Sequence, residues 1–181
     1  MTDPRDFLVT ARLRNGMAVT IRHVRPDDRD RMERAFRHLE RDTVYTRFFR
    51  YVAEPTEAQL TRATQPDHAR EVALVVTTGA GGDEVIIAGG RYVLSENATS
   101  KSSAEVAFMV EEDYQGQGIA GRVLGHLAEI GRQQRVASFE AEVLSGNASM
   151  LRVFARSGLP MKQRREGDVV HVELSLALNQ G

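Results

Sequence analysis

Residues 106–130 read VAFMVEEDYQGQGIAGRVLGHLAEI, and three structural patterns follow one another in them. The first five residues are all apolar, which predicts a central strand that is covered on both faces. A glycine-rich turn follows, and the apolar residues from Ile119 to Ile130 recur at the spacing of a helix with one buried stripe. Residues 137–144 predict another strand. Together these elements predict a βαβ crossover between two parallel strands.

The turn contains Gly116, Gly118 and Gly121. Glycines let successive backbone N–H groups turn toward one point, and the following helix adds unpaired N–H donors and partial positive charge. This arrangement predicts an anion site, for which a diphosphate is the natural ligand. A turn that only starts the helix is the alternative, because a glycine pattern alone is a weak signal.

Two other nucleotide-binding motifs fit this turn poorly. The glycine spacing is formally G-x-G-x-x-G, yet no acidic residue suited to a ribose ends the next strand cleanly, and the motif lies late in the chain. The Walker motif is excluded because no Lys-Ser or Lys-Thr follows the glycines. The pattern therefore favours a phosphate site of another type.

In this turn the chain resembles the GNAT superfamily of N-acetyltransferases. The acyl-CoA signature of that family is Gln/Arg-x-x-Gly-x-Gly/Ala, which Gln115, Gly118 and Ala120 match in register. The resemblance extends over residues 17–176. It includes an entry strand and first helix at Ile21–Asp28 and a helix between Asn147 and Gly158.

Within the superfamily, the chain is most similar to the catalytic domain of bacterial protein lysine acetyltransferases. Three segments carry this similarity: Arg25-Pro26-x-Asp28, Tyr45-Thr46-Arg47-Phe48-Phe49 and Ala104-Glu105-Val106-Ala107. The resemblance implies an acetyl-CoA-dependent N-acetyltransferase with a protein lysine as acceptor. A small-molecule amine as acceptor and an inactive acyl-CoA-binding sensor are the alternatives.

The resemblance also implies a cofactor site. Backbone N–H groups of the turn would hold the CoA pyrophosphate, and the pantetheine arm would lie between two splayed strands, as an added strand does. Asn147 matches a residue that contacts this arm in the family, although Ser145-Gly146-Asn147 is equally suited to cap a helix. The implied cofactor-binding residues are Val110, Gln115, Gly116, Gln117, Gly118, Ile119, Ala120, Gly121 and Asn147.

Acyl transfer to a lysine benefits from a general base, because an amine with a pKa of about 10.4 is almost wholly protonated at pH 7. Removing the proton costs about 4.6 kcal/mol, and a positioned base contributes about 10² to 10⁴ in rate. Glu105 stands next to Ala104, among apolar residues at the start of the strand. It matches the Glu that the resembling lysine acetyltransferases use as base. A solvated residue at a strand start is the alternative interpretation.

The sequence lacks the general acid that many family members have. They place a Tyr seven residues after the helix Asn, and this chain has Phe154 there. Tyr114, beside the turn, is a candidate for the general acid in place of this Tyr. The alternative is that it packs at the strand end, which is the more common role for such a residue. A thiolate with a pKa near 8.5 leaves without much help. The sequence therefore favours direct attack with Glu105 alone, with a backbone N–H near Val110 meeting the oxyanion.

Fewer residues indicate the acceptor. Tyr45, Phe48 and Phe49 resemble the segment that walls the acceptor groove, with a role in the core as the alternative. The 5 histidines show no metal-ligand spacing, so we expect no metal.

The chain as a whole predicts an α/β (α+β) domain with a mixed, mostly antiparallel sheet of about seven strands and about four helices. Asn15-Gly16 predicts a hairpin, residues 27–40 a helix, and Gly89-Gly90 a bulge or close backbone approach. At 181 residues we expect one domain, 1–181, without room for the regulatory or acyl-CoA-synthetase-like domain that relatives often carry.

Composition indicates which classes of binding partner and which cellular location to expect. A balance of 24 basic against 25 acidic residues disfavours a dedicated nucleic-acid partner. The chain has 0 Cys, and it has no run of about 18 apolar residues, so we expect no membrane partner and a cytoplasmic location. The C-terminal hairpin is compatible with a homodimer, which the sequence does not require.

Overall fold

The computed structural model describes residues 3–38, 55–96 and 102–177. Its strands are β1 (Leu8–Arg12), β2 (Ala18–His23), β3 (Glu71–Thr78), β4 (Val85–Leu94), β5 (Ser103–Val110), β6 (Ser138–Leu144), β7 (Met161–Glu166) and β8 (Val169–Ser175). Its α-helices are α1 (Arg29–Arg37), α2 (Glu57–Thr64), α3 (Ile119–Gln133) and α4 (Ala148–Ala155).

The strands form one mixed sheet in the order β1-β2-β3-β4-β5-β6-β8-β7. Neighbouring strands are antiparallel except for β5 and β6, which are parallel and joined by α3. The predicted crossover is therefore confirmed. The sheet has eight strands rather than about seven, and a hairpin forms each of its two ends. Asn15-Gly16 closes the first of them, with Gly16 at φ +86°.

Helices cover both faces of the sheet. On one face α3 packs over β4 and β5, and its buried stripe joins the larger core. Gly90 is required at this contact, because a Cβ atom there would lie 2.7 Å from both Phe108 and Val123. The close approach predicted at Gly89-Gly90 is thus present. On the other face α1 packs on β3 and β4 in a smaller cluster that contains Met32 and Ala35.

The first helix is shorter than the predicted range 27–40. Residues 26–28 form a 3₁₀ turn, since the Asp28 carboxylate accepts the Arg25 N–H at 2.7 Å, and α1 starts at Arg29. It ends at Arg37, where Nδ1 of His38 donates to the Arg34 carbonyl at 2.6 Å. Tyr45, Phe48 and Phe49 lie outside the described residues.

A buried ion pair fixes α1 to the sheet. Arg22 on β2 donates twice to Asp28, at 2.7 and 2.8 Å, and also to Glu84 at 2.9 Å. Asp28 is 0% exposed and Arg22 is 3% exposed. Burial alone would raise the pKa of Asp28, but hydrogen bonds from Arg22 and from the Arg25 amide lower it further than burial raises it. The carboxylate is therefore held in its charged form.

None of the described helices is long and apolar enough to span a membrane.

Candidate active site

The glycine turn takes a backbone shape that glycine adopts readily. Gly116 and Gly118 have φ of +78° and +79°, in the left-handed region. Gly118 is the residue before α3, and no side chain caps the helix there. The turn thus leaves the N-terminus of α3 open.

The backbone N–H groups of this turn have no acceptor in the part of the chain that the structure describes. The first hydrogen bond into α3 runs from the Arg122 N–H to the Gly118 carbonyl at 3.2 Å. Within the described residues, no acceptor pairs with the N–H groups of the six residues from Gly116 to Gly121. Consecutive free donors at the positive end of a helix form an anion site. The sequence-predicted turn residues are therefore brought together as a row of donors.

The β1–β2 hairpin holds this turn in place, which the sequence did not indicate. Arg14 Nη1 donates to the Gly116 carbonyl at 3.2 Å, and the Asn15 N–H donates to the Gln117 side-chain oxygen at 3.1 Å. Each contact joins residues that are 102 positions apart in the chain. The Arg14 guanidinium lies beside Gly118, where a Cβ atom would be 3.6 Å from its Nε. A cation thus stands next to the free donors.

β5 and β6 separate beside the turn. Their parallel pairing covers only residues 103–105 and 138–140, and Glu105 opposite Glu140 is its last pair. The Glu111 N–H donates to the Ile87 carbonyl of β4 at 2.9 Å. Because backbone groups of successive residues in a strand point to opposite sides, the N–H and C=O groups of Phe108 and Val110 face away from β4 and toward β6. The Gln115 side chain donates to the Val110 carbonyl at 3.1 Å. The strands therefore open at Glu105 into a gap that ends at the turn.

Glu105 stands where this gap begins, but its surroundings differ from the expectation. The side chain is exposed, because it lies on the sheet face opposite Ala104 and Val106, which are buried. It lines a polar cleft of about 390 Å³ together with Arg70, Glu71 and Glu96. The prediction that apolar residues surround Glu105 is wrong, since the apolar neighbours in sequence point to the other face.

Three further sequence-predicted residues have clear local roles. Asn147 caps α4, with its side-chain oxygen accepting the Met150 N–H at 3.2 Å. Phe154 is 1% exposed and packs edge-on against Phe108, with ring centroids 6.1 Å apart. Tyr114 packs against the same core. The position of the family's usual Tyr is thus filled by a buried ring.

Glu111 is a titratable residue at a cavity, and no sequence pattern indicated this placement. It directly follows β5, is half-buried and lines an apolar cavity under α1 and α2. Burial raises its pKa, and the charges of Asp113 and Glu112 add to this, while His38 opposes it. In the described parts of the chain, no three His, Asp or Glu side chains are grouped so that they could hold a metal ion.

Comparison with known proteins identifies this arrangement. The profile of the acetyltransferase (GNAT) domain matches residues 18–160, which include the open strand pair and the turn. The chain belongs to the GNAT acetyltransferase family. The resemblance noted in the sequence and the fold class that it implied are therefore confirmed.

Two GNAT relatives are similar to this chain over most of its length. Acetyltransferase Pat of Mycolicibacterium smegmatis is 35% identical over 151 residues, which are 83% of this chain and 44% of that protein. The chain thus spans less than half the length of this curated relative. The solved GNAT domain of S. lividans PAT is 31% identical, with a TM-score of 0.82, covering 93% of this chain and 96% of that one.

A more distant solved structure supports the fold. The solved yncA of Salmonella typhimurium, described with its cofactor acetyl-CoA, has a TM-score of 0.69 at 18% identity. It covers 90% of this chain and 96% of that one.

Proposed function

We propose that this GNAT domain transfers an acetyl group from acetyl-CoA to a primary amine, with a protein lysine as the acceptor. The observation that carries the proposal is the row of N–H groups from Gly116 to Gly121, which have no acceptor in the described part of the chain and lie at the end of the gap between β5 and β6. Donors at one end and unpaired strand edges at the other suit a ligand with a diphosphate and an extended, amide-containing arm. CoA has both parts.

The residues of the site then have distinct tasks. The N–H groups of the turn bind the pyrophosphate, and Gln115 keeps the Val110 carbonyl at the end of the gap. The polar backbone groups of Phe108 and Val110 face the pantetheine arm, and one of their N–H groups stabilises the developing oxyanion. Asn147, at the start of α4, contacts the pantetheine arm. The full set of cofactor residues remains Val110, Gln115, Gly116, Gln117, Gly118, Ile119, Ala120, Gly121 and Asn147.

Glu105 is the proposed base. One proton passes from the acceptor ammonium to its carboxylate, directly or through a water molecule. The freed electron pair of the nitrogen forms a bond to the thioester carbonyl carbon, the C–S bond breaks, and the thiolate leaves with the bonding pair. The second amine proton goes to the thiolate or to solvent. Solvent exposure of Glu105 suits this role, since the proton must leave the site in each cycle.

No tyrosine is assigned to protonate the leaving group. Phe154 is buried against Phe108 and has no proton to give. A thiolate is a stable leaving group near neutral pH. Direct attack without a general acid is therefore sufficient.

The test is an acceptor screen with acetyl-CoA as donor. Lysine peptides, amino acids, polyamines and aminoglycosides are offered in turn, with CoA thiol release and product mass as readouts. Amine-dependent release together with an acetyl-lysine peptide product is expected. A small-molecule product alone would overturn the protein-lysine acceptor. Acetyl-CoA binding without any amine-dependent release would favour an acyl-CoA sensor.

A further inference from the structure

A cavity of about 290 Å³ lies on the sheet face that carries α1 and α2. Its lining is mostly apolar and includes Met32, Leu60 and Met109. It begins on the same face as Glu105, since residues 105, 107 and 109 of β5 alternate onto one side of the sheet. An acceptor that presents its amine at Glu105 therefore has this cavity beside it.

Arg91 lies in the floor of the cavity. It is half-buried on β4, between Ala73 of β3 and Ala107 of β5, whose small side chains leave space around it. Within the described residues, the side chain of Arg91 forms neither a hydrogen bond nor an ion pair. This holds even though Glu71 and Glu105 are its diagonal neighbours across the two strand pairs.

Other arginines with comparable burial are all paired. In the described part of the chain, the buried or half-buried arginines besides Arg91 each donate to a carboxylate, a hydroxyl or a carbonyl: Arg22, Arg29, Arg31, Arg70 and Arg132. Removing a charged group from water is costly unless it is paired. Among the described residues, therefore, no group compensates the half-buried charge of Arg91.

The other described charged residues that line the cavity do not pair with Arg91. Glu111 stands four residues beyond Ala107 on β5, which is about 13 Å along an extended strand. Arg62 is exposed and has the same sign of charge. The group that pairs with Arg91 must therefore come from outside the described residues, and a planar guanidinium suits a carboxylate best.

We propose that Arg91 binds a carboxylate of the acceptor, so that the acceptor is an amine that carries a carboxylate nearby. The proposal rests on the proposed function and adds the acceptor's chemical class. Diagonal neighbours on a sheet have Cβ atoms about 7 Å apart. Glu105 takes the amine end and Arg91 the carboxylate end of such a zwitterion. The carboxylate belongs to a free amino acid or to an acidic residue next to a lysine in a protein.

Matched acceptor pairs test the proposal and separate these two sources. L-lysine is compared with L-lysinamide, and a capped Lys-Glu peptide with a capped Lys-Gln peptide, by kcat/KM with acetyl-CoA. A hydrogen-bonded charge pair predicts a preference of roughly 10- to 100-fold for the carboxylate member of one pair. The pair that shows the preference identifies the source. Arg91→Gln should bring that ratio close to one by lowering kcat/KM for the carboxylate member of the pair.

Arg156→Gln is the matched control, since Arg156 is exposed at the end of α4 and lies outside the cavity. It should keep the wild-type ratio. A ratio near one in both pairs for the wild type, or a ratio that Arg91→Gln does not change, overturns the proposal. The proposal also fails if Arg91→Gln lowers kcat/KM equally for the carboxylate and the carboxamide acceptor and shifts the pH profile, because Arg91 would then act by positioning Glu105.

A binding measurement keeps the proposal separate from the proposed function. The NMR signal of the Arg91 Nε–H group, assigned by its absence in Arg91→Gln, is followed during titration with L-lysine, L-lysinamide and the two peptides. A saturable shift with one carboxylate ligand and none with its carboxamide is expected. If the wild type acetylates no amine but this shift occurs, the proposed function fails and the carboxylate site stands. If no carboxylate ligand shifts the signal, the site is refuted.

Discussion

Glu105 and Glu140 face each other at the last position where β5 and β6 are paired, and both side chains are exposed. Beyond this pair the strands separate, so one carboxylate borders the polar cleft at the opening while the other lies on the next strand. The two residues have the same chemistry at neighbouring positions, so Glu140 provides a matched control for Glu105, the proposed general base.

Glu105→Gln should lower kcat by about 10² to 10⁴ at neutral pH with saturating acceptor, because the amide cannot take the proton. Acetyl-CoA affinity should be unchanged. Glu140→Gln should leave both quantities at the wild-type level. Steady-state rates and calorimetry measure the two effects, and full turnover in Glu105→Gln would refute the assignment of the base.

Arg14→Ala should weaken acetyl-CoA binding by about 2- to 12-fold, the equivalent of one hydrogen bond. The variant removes the bond to the Gly116 carbonyl and the cation beside Gly118. Arg12→Ala is the control from the same hairpin. Arg12 is exposed, and its side chain donates to the Gly16 carbonyl within the hairpin and not to the glycine turn before α3. Equal affinities for the two variants in calorimetry would show that Arg14 contributes nothing to the site.

Asp28→Ala should reduce the free energy of unfolding by about 3–5 kcal/mol, because it leaves the charge of Arg22 buried without its main partner. Asp27→Ala should change it by less than about 0.5 kcal/mol, since Asp27 is exposed. Urea denaturation measures both. A loss below about 1 kcal/mol in Asp28→Ala would mean that Glu84 alone compensates Arg22.

Stability should fall as the pH is lowered from 7 to 5, in part because of His23. Burial lowers the pKa of His23, and a hydrogen bond from its Nδ1 to the Val24 carbonyl opposes this, while His68 adds a like charge. Nε2 is buried and has no hydrogen-bond partner among residues 3–38, 55–96 and 102–177. The unfolded chain therefore takes up this proton more readily, so the stabilisation is complete above the ordinary pKa of about 6.5 and is lost as the pH falls below it.

Thermal unfolding at several pH values checks this prediction. His23→Gln should show a smaller drop in Tm between pH 7 and pH 5 than the wild type. His38→Gln, at an exposed histidine, should show the wild-type drop. Identical slopes for His23→Gln and the wild type would exclude a contribution from His23.

Local patterns predicted the elements of this fold that depend on neighbouring residues. Asn15-Gly16 indicated the first hairpin, and the stripe from Ile119 to Ile130 indicated α3, because turn chemistry and helical spacing are local properties. The length of α1 was overestimated, since the side chain of Asp28 bonds to residues before the helix.

Features of the site that depend on distant contacts could not be predicted. Arg14 reaches the turn across 102 residues, and no pattern around either segment indicates this contact. The exposure of Glu105 follows from which face of β5 each residue takes and what covers that face. Arg91 becomes notable only when the described residues around it are known to offer no partner. Contacts between segments that are distant in the sequence decide each of these cases.

The most direct test of the account is calorimetric titration of acetyl-CoA into the wild type, Gly118→Asp and Gly158→Asp. The two glycines have φ of +79° and +78°, so both variants strain the backbone equally, but Gly158 lies after α4 with no atom near its Cβ position. Micromolar binding, about −8 kcal/mol, is expected for the wild type and Gly158→Asp. It should be lost in Gly118→Asp, whose carboxylate repels the diphosphate. Binding that survives in Gly118→Asp, or is absent in the folded wild type, would contradict the assignment of the turn as the acyl-CoA site.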